Sequence, residues 1–216
     1  SDCLVGSEMC IRDSPYTVDN KKFYPVSGVR KAALTEKLVA YGLDPNLPTI
    51  IYCSKFSARK NPELVLRAFH KFCDGDQRAN LLMAGSGPLF DSVRKTAETL
   101  GCSNIYFTGF VSQDELPDLL QCGDLFVMAS ENEPWGLVVN EAMASGMPVL
   151  STSSIGSSYD LVEDGVNGKH LPELSIECIA LHFAQLTRDS EALRGMGLNS
   201  IEKMHSWDYR ACLDGV

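Results

Sequence analysis

Three cations and two acids in this chain are spaced as an anion-binding site would space them. Lys55, Arg59 and Lys60 follow directly on the apolar run Ile50-Ile-Tyr-Cys-Ser54, and a helical pattern starts at Asn61-Pro62-Glu63. Cations between the end of a strand and the start of a helix make a natural site for a diphosphate, although any single lysine there is ordinarily solvated. Glu133 and Glu141, with seven residues between them, flank a second turn of the same kind. The run Asp124-Leu-Phe-Val-Met-Ala129 before it is short, bounded and strongly apolar, as a buried parallel strand is. After a polar loop carrying Glu133, residues Leu137, Val138, Glu141, Ala142 and Ala144 have helical spacing, and Gly146 suits the position that ends the helix. Spacing alone leaves both acids ordinary. A Glu in the first turn or so of a helix complements the dipole weakly, and a loop Glu is usually solvated. The free N–H groups at that helix start, around Gly136 and Leu137, favour phosphate independently of either acid.

These residues need a scaffold, and the rest of the chain supplies its pattern. Further strands are expected at Leu81-Leu-Met-Ala84, Ile105-Tyr-Phe-Thr108 and Val149-Leu-Ser151. Helices are expected from Val29 to Leu43, from Asn61 with Leu64, Val65, Ala68, Phe69 and Phe72 as its buried face, and from the Gly85-Ser-Gly-Pro88 turn to about Leu100. Ser112-x-x-Glu115 reads as a capping box for a helix through Leu120. Ser157 to Val162 reads as a short helix, Asp164-Gly165 and Asn167-Gly168 as turns, and the chain from about Ser175 to Trp207 as helical. No segment repeats at a fixed period. The alternation predicts an α/β fold, a Rossmann-like parallel sheet with helices on both faces, whose ligands sit at the carboxyl ends of the strands.

The string Glu133-Pro-Trp-Gly-Leu-Val-Val-Asn-Glu-Ala-Met-Ala-Ser-Gly-Met-Pro-Val149 resembles the Glu-x7-Glu signature of glycosyltransferase family 4, enzymes of the GT-B fold. The resemblance extends from about Pro15 to Tyr209. Ser54-Lys55-Phe-Ser-Ala-Arg59-Lys60 stands where that family has Gly-Arg-Leu-x-x-x-Lys-Gly, so Lys55 keeps the charge of an Arg but loses its bidentate fork. Gly85-Ser-Gly-Pro88 and Gly109-Phe110-Val111 match two family turns. Ser157 and Asp160 replace a Gly and a Glu of a third. The resemblance implies a nucleotide diphosphate sugar as donor, transfer with retention, and no metal. It implies that Glu133 holds hydroxyls of the donor sugar, Glu141 the ribose, the Gly109–Val111 backbone the base, and the N–H groups at Trp135, Gly136, Leu137 and Val138 the diphosphate. Glu133, Lys60 and Lys55 would be the catalytic set, with Arg59 assisting. It further implies three regions: residues 1–14 apart from the fold, 15–48 an interdomain segment with a leading helix, and 49–216 the nucleotide-sugar-binding domain. The acceptor, whether lipid-linked, a glycan or a small molecule, would be held by another half of the protein, so this chain alone is expected to be inactive. Two readings compete: an epimerase-like GT-B enzyme, which would release an epimerised nucleotide sugar without an acceptor, and a non-catalytic nucleotide-binding or scaffold module.

Composition narrows the partners. The net charge of −9 argues against non-specific nucleic-acid binding, and the 44% hydrophobic content of 216 residues suffices for one sizeable core or two small ones. Eight cysteines show no paired C-x-x-C spacing, which fits reduced, mostly buried thiols. His70, His170, His182 and His205 have no partnered acid in view and read as surface or packing residues. No apolar run is long enough to span a bilayer. The expected location is cytoplasmic, in solution or peripherally on the cytosolic membrane face. Leu4-Val-Gly-Ser-Glu-Met-Cys-Ile-Arg-Asp13 resembles an in-frame translation of a transposon-end sequencing adapter and is set apart from the fold.

Overall fold

Six strands form one parallel sheet in the order β3-β2-β1-β4-β5-β6. The structure, a computed structural model, describes residues 16–25, 29–75 and 78–207. The expectations for residues 1–14, for Cys212 and for the chain beyond Trp207 lie outside them. β1 (Thr49–Cys53) lies between β2 (Asn80–Ala84) and β4 (Leu125–Met128). β3 (Ile105–Gly109) flanks β2, and β5 (Val149–Ser151) and β6 (Gly168–His170) extend the sheet beyond β4. The helices are α1 (Asn20–Phe23), α2 (Val29–Ala40), α3 (Pro62–Cys73), α4 (Phe90–Thr99), α5 (Leu116–Leu120), α6 (Leu137–Ala144), α7 (Gly156–Leu161), α8 (Ile176–Thr187) and α9 (Ser190–His205).

The alternation of side chains along each strand divides the core in two. Ile51, Leu82, Phe126, Met128 and Val149 pack one face beneath α1, α2, α5, α6 and α7. Ile50, Tyr52, Leu81, Met83, Leu125, Val127 and Leu150 pack the other beneath α3, α4 and α8. Strands buried on both faces have to read as continuous apolar runs, which is why they were visible in the sequence. Among the described residues no helix is long and apolar enough to cross a membrane.

The structure departs from expectation at several points. Gly168, placed in a turn, begins β6; Gly-Lys-His is too short and polar to show as a strand, and it forms because Val149–Ser151 offers it a free edge. The long C-terminal helix is two helices. Asp189 Oδ1 accepts from the Glu191 and Ala192 amides, both at 3.0 Å, and starts α9 afresh. Only half of the capping box forms: the Glu115 carboxylate accepts from the Ser112 amide and hydroxyl, while α5 starts at Leu116. The segment 16–25 is docked through α1 against α5 and α6. Val18 and Phe23 are buried, and Asn20 Nδ2 donates to the carbonyls of Met204 at 2.8 Å and Trp207 at 3.1 Å. Of the described cysteines, Cys122 and Cys178 are buried and Cys53, Cys73 and Cys102 half-buried, all as free thiols.

The loops that leave β1 and β2 are locked together at the carboxyl edge. Phe56 N donates to Ser86 O and Leu89 N to Phe56 O, both at 3.0 Å. This approach requires Gly85, whose φ is +128° and where an added Cβ would stand 2.0 Å from Ser54 O. Gly85→Ala should therefore destabilise the chain by about 3 kcal/mol in urea unfolding. Gly101→Ala, at φ +64° but in open space, should cost only about 1 kcal/mol. Equal losses would show that the Ser54 contact does not constrain the turn.

Candidate functional site

The connection leaving β1 runs to α3 on one face of the sheet, and the connection leaving β4 runs to α6 on the other. Between them the order of strands reverses, and open α/β sheets have a crevice there. Lys60 enters it from a short turn, Ala58–Lys60, and forms an ion pair with Glu133 from the loop after β4. Their side chains are 11% and 19% exposed. Burial and the neighbouring Arg59 charge push the Lys60 ammonium below the ordinary lysine range, and the Glu133 carboxylate in contact opposes that shift. Backbone contacts join the two loops as well. Glu131 N donates to Arg59 O at 3.1 Å, and Tyr52 Oη donates to Lys60 O at 3.2 Å. Asn61, expected to cap α3, is left-handed at φ 51° and makes no side-chain cap. Its amide donates across the crevice to Ala129 O at 3.0 Å.

Beyond Glu133 the chain turns sharply into α6. Gly136 at φ 89° stands at the helix start, with Glu133 Cγ, Ile155 Cγ2 and Met128 Cε within 3.2–3.3 Å of where a Cβ would be. No side chain caps α6, so its first N–H groups remain available at the carboxyl edge. α7 fixes the loop from the side. Gly156 N donates to Glu133 O at 3.1 Å, and the Ser157 amide and hydroxyl both donate to Trp135 O, at 3.0 and 2.6 Å. Trp135 is tied further by its indole N–H, which donates to Asn140 Oδ1 at 3.0 Å. Asn140 Nδ2 in turn donates to Tyr16 O at 3.1 Å, as does the indole of Trp207, whose ring stacks on Trp135 at 6.2 Å and 14°. Sequence reasoning missed Asn140, Ser157, Tyr16 and Trp207 as supports of this loop. Trp135 and Asn140, five positions apart, were within reach of it; Tyr16 and Trp207 meet only through the fold.

Glu141 lies in the second turn of α6, not the first, because the helix begins only at Leu137. It is 8% exposed, and burial raises its carboxyl to about 7. Burial of Cys53, with the Glu141 charge as the smaller cause, raises its thiol to about 12, which makes that cysteine an inert wall near Glu141. Cys53, Ser54, Lys55, Gly85, Ser86, Gly87, Phe110 and Val111 line a cavity of about 370 Å³ at the carboxyl ends of β1–β3. Phe110 is 78% exposed at its rim, and Gly109 O accepts from Gly85 N at 2.8 Å. The expected site residues thus fall into two adjoining groups. Lys60, Glu133, Trp135, Gly136 and Leu137 gather around the crevice; Lys55, Phe110 and Val111 line the cavity, with Gly109 next to them in the chain. Arg59 is exposed between the strands' loops, and Val138 packs its side chain against the core, leaving only its backbone for a ligand.

Among the described residues no cluster of His, Cys, Asp and Glu could hold a metal. The sequence carries one Asp-x-Asp, Asp74-Gly75-Asp76. Asp74 closes α3 at the amino edge of the sheet, remote from the crevice, and Asp76 lies outside the described residues. Two histidines do have acids nearby, His170 with Asp164 at 2.9 Å and His70 with Asp74 at 3.7 Å, both away from the crevice.

The raised carboxyl of Glu141 has a consequence for stability. A carboxyl near 7 in the fold and near 4.5 when unfolded takes up a proton on folding, so its contribution is full below about pH 4.5 and is lost as pH rises toward 7, by about 3 kcal/mol at most. Glu141→Gln removes that loss. The urea midpoint of the variant should exceed that of the parent increasingly between about pH 5 and pH 8. A difference that is flat or shrinks with pH would contradict a protonated, buried Glu141.

Known proteins share this architecture. The family described as "Glycosyl transferases group 1" matches residues 35–203. The N-acetyl-alpha-D-glucosaminyl L-malate synthase of Bacillus anthracis is 30% identical over 176 residues, which cover 81% of this chain and 45% of that protein. The chain spans less than half the length of such curated relatives. The C-terminal domain of LpcC from Francisella tularensis, a group 1 family protein, superposes with a TM-score of 0.75 at 23% identity over 88% of this chain and 97% of that one. Anabaena HepE, solved in complex with UDP-glucose, superposes at 0.77 with 21% identity over 93% of this chain and 55% of that one. Since the family match takes in every strand of the sheet together with both loops of the crevice, the chain belongs to the group 1 glycosyltransferases.

Proposed function

We propose that this chain is the donor-binding half of a retaining, family 4 glycosyltransferase of the GT-B type. It takes a nucleotide diphosphate sugar and uses no metal. One observation carries the reading: a largely buried lysine side chain and an uncapped helix start both lie at the strand-order reversal, beside a cavity large enough for a nucleoside. Lys60 and the N–H groups at Gly136 and Leu137 hold the diphosphate, with Lys55 reaching it from the cavity side. Glu133 accepts hydrogen bonds from sugar hydroxyls, and Glu141 from the ribose. The base lies against the backbone of Gly109–Val111. The likeness in fold to HepE, which is reported in complex with UDP-glucose, supports the choice of ligand class.

In this reading the chain's part in the chemistry is electrostatic. As the glycosidic bond to the diphosphate breaks, negative charge grows on the leaving phosphate. Lys60, Lys55 and the positive end of α6 are already aimed at that charge and need no reorganisation. The low exposure of the Lys60 side chain strengthens its effect, since charges out of water are screened less. The acceptor is assigned to another half of the protein, which would act on the cytosolic side. Holding the acceptor against the sugar supplies the positioning that donor binding alone lacks.

The reading is tested by calorimetric titration of UDP, GDP and ADP. One of the three should bind, and Lys60→Ala should weaken it by about 1.5–3 kcal/mol, the worth of a charge-assisted hydrogen bond. Unchanged affinity would remove Lys60 from the site.

A further inference from the structure

The Lys60–Glu133 ion pair joins two side chains that the proposed site needs for different parts of its ligand. Lys60 belongs to the diphosphate and Glu133 to the sugar. In the fold they satisfy each other. Neither can be released at no cost, because both are largely out of water. Removing one partner from a pair of this kind leaves an uncompensated charge. The backbone that carries the Glu133 carboxylate is fixed, held by Gly156 N and by a bridge to Ile155.

Two ligands meet this arrangement differently. A bare nucleoside diphosphate that takes the Lys60 ammonium strips Glu133 of its cation and brings further negative charge toward it. A sugar nucleotide takes the same ammonium, but its sugar brings hydroxyl donors that the freed carboxylate can accept from. We propose that Glu133 is a specificity-determining residue that works against the bare diphosphate: by competing for Lys60 it disfavours the nucleotide without its sugar and favours the intact donor. The inference rests on the assignment of Lys60 to the diphosphate. Its result is a site that loads donor and lets the spent nucleotide go, since losing the sugar removes the hydroxyls while the carboxylate remains.

The discriminating measurement is the ratio of dissociation constants for a bare diphosphate and its sugar conjugate, taken by calorimetry on the whole chain. UDP is compared with UDP-glucose, GDP with GDP-mannose and ADP with ADP-glucose. Glu133→Gln keeps the shape and removes the charge. It should bind the bare diphosphate about fivefold or more tighter than the parent does and lower the preference for the conjugate; Glu133→Ala should shift the bare diphosphate in the same direction. In a Lys60→Ala background the same change should give no tightening, because the contested ammonium is gone. Bare-diphosphate affinity that is equal or weaker in both Glu133 variants, with binding by the parent intact, would overturn the competition and leave the donor site standing. Absence of any nucleotide binding by parent and variants would overturn both.

Discussion

The pairing of β1 with β4 is the constraint on which the rest depends. Ile50, Ile51 and Tyr52 lie opposite Leu125, Phe126 and Val127, in register and in parallel. The two strands are far apart in sequence, and after them the chain departs to opposite faces of the sheet. No connection crosses the gap that this leaves at the carboxyl edge. The candidate groups for the diphosphate and the sugar lie on segments that emerge there, Lys55 and Lys60 after β1 and Glu133 and the start of α6 after β4, while Gly109–Val111 follow β3. Side chains bridge the gap where backbone ladders cannot, Lys60 to Glu133 and Asn61 to Ala129.

Parts of this were legible in the residues. Buried parallel strands must be apolar throughout, so five of the six were visible, and the reversal from strand to helix at Gly136 followed from one glycine among helical spacing. β6 was not visible, because three residues at a sheet edge form a strand only when β5 presents its free groups. Lys60 and Glu133 were each identified, yet nothing in a linear chain shows that they touch. The supports of the Trp135 loop were the least legible. Asn140 looked like one more residue on a helix, and its value depends on a carbonyl 124 positions away.

Burial at this edge trades stability for binding. Glu141 is placed where a carboxylate is costly, and its carboxyl is raised to about 7 in consequence. Lys60 is shifted in the opposite direction by the same cause. Sites that destabilise their own charged groups are a common mark of function, because a ligand that supplies the missing partners recovers the loss. The rigid surroundings fit that purpose. The stack of Trp135 on Trp207, with Tyr16 O bonded by both Asn140 and Trp207, holds the loop between the acids from its outer side.

The central claim is that a diphosphate is received at the start of α6. Amide-resolved NMR of the labelled chain during addition of UDP, GDP and ADP tests it most directly. The account predicts that the largest shifts fall on Gly136, Leu137 and the Lys60 turn, with smaller ones at Gly109–Val111, and that residues at the amino edge such as Thr49 and Asn80 stay in place. Shifts confined to another surface, or none at saturating nucleotide, would contradict it.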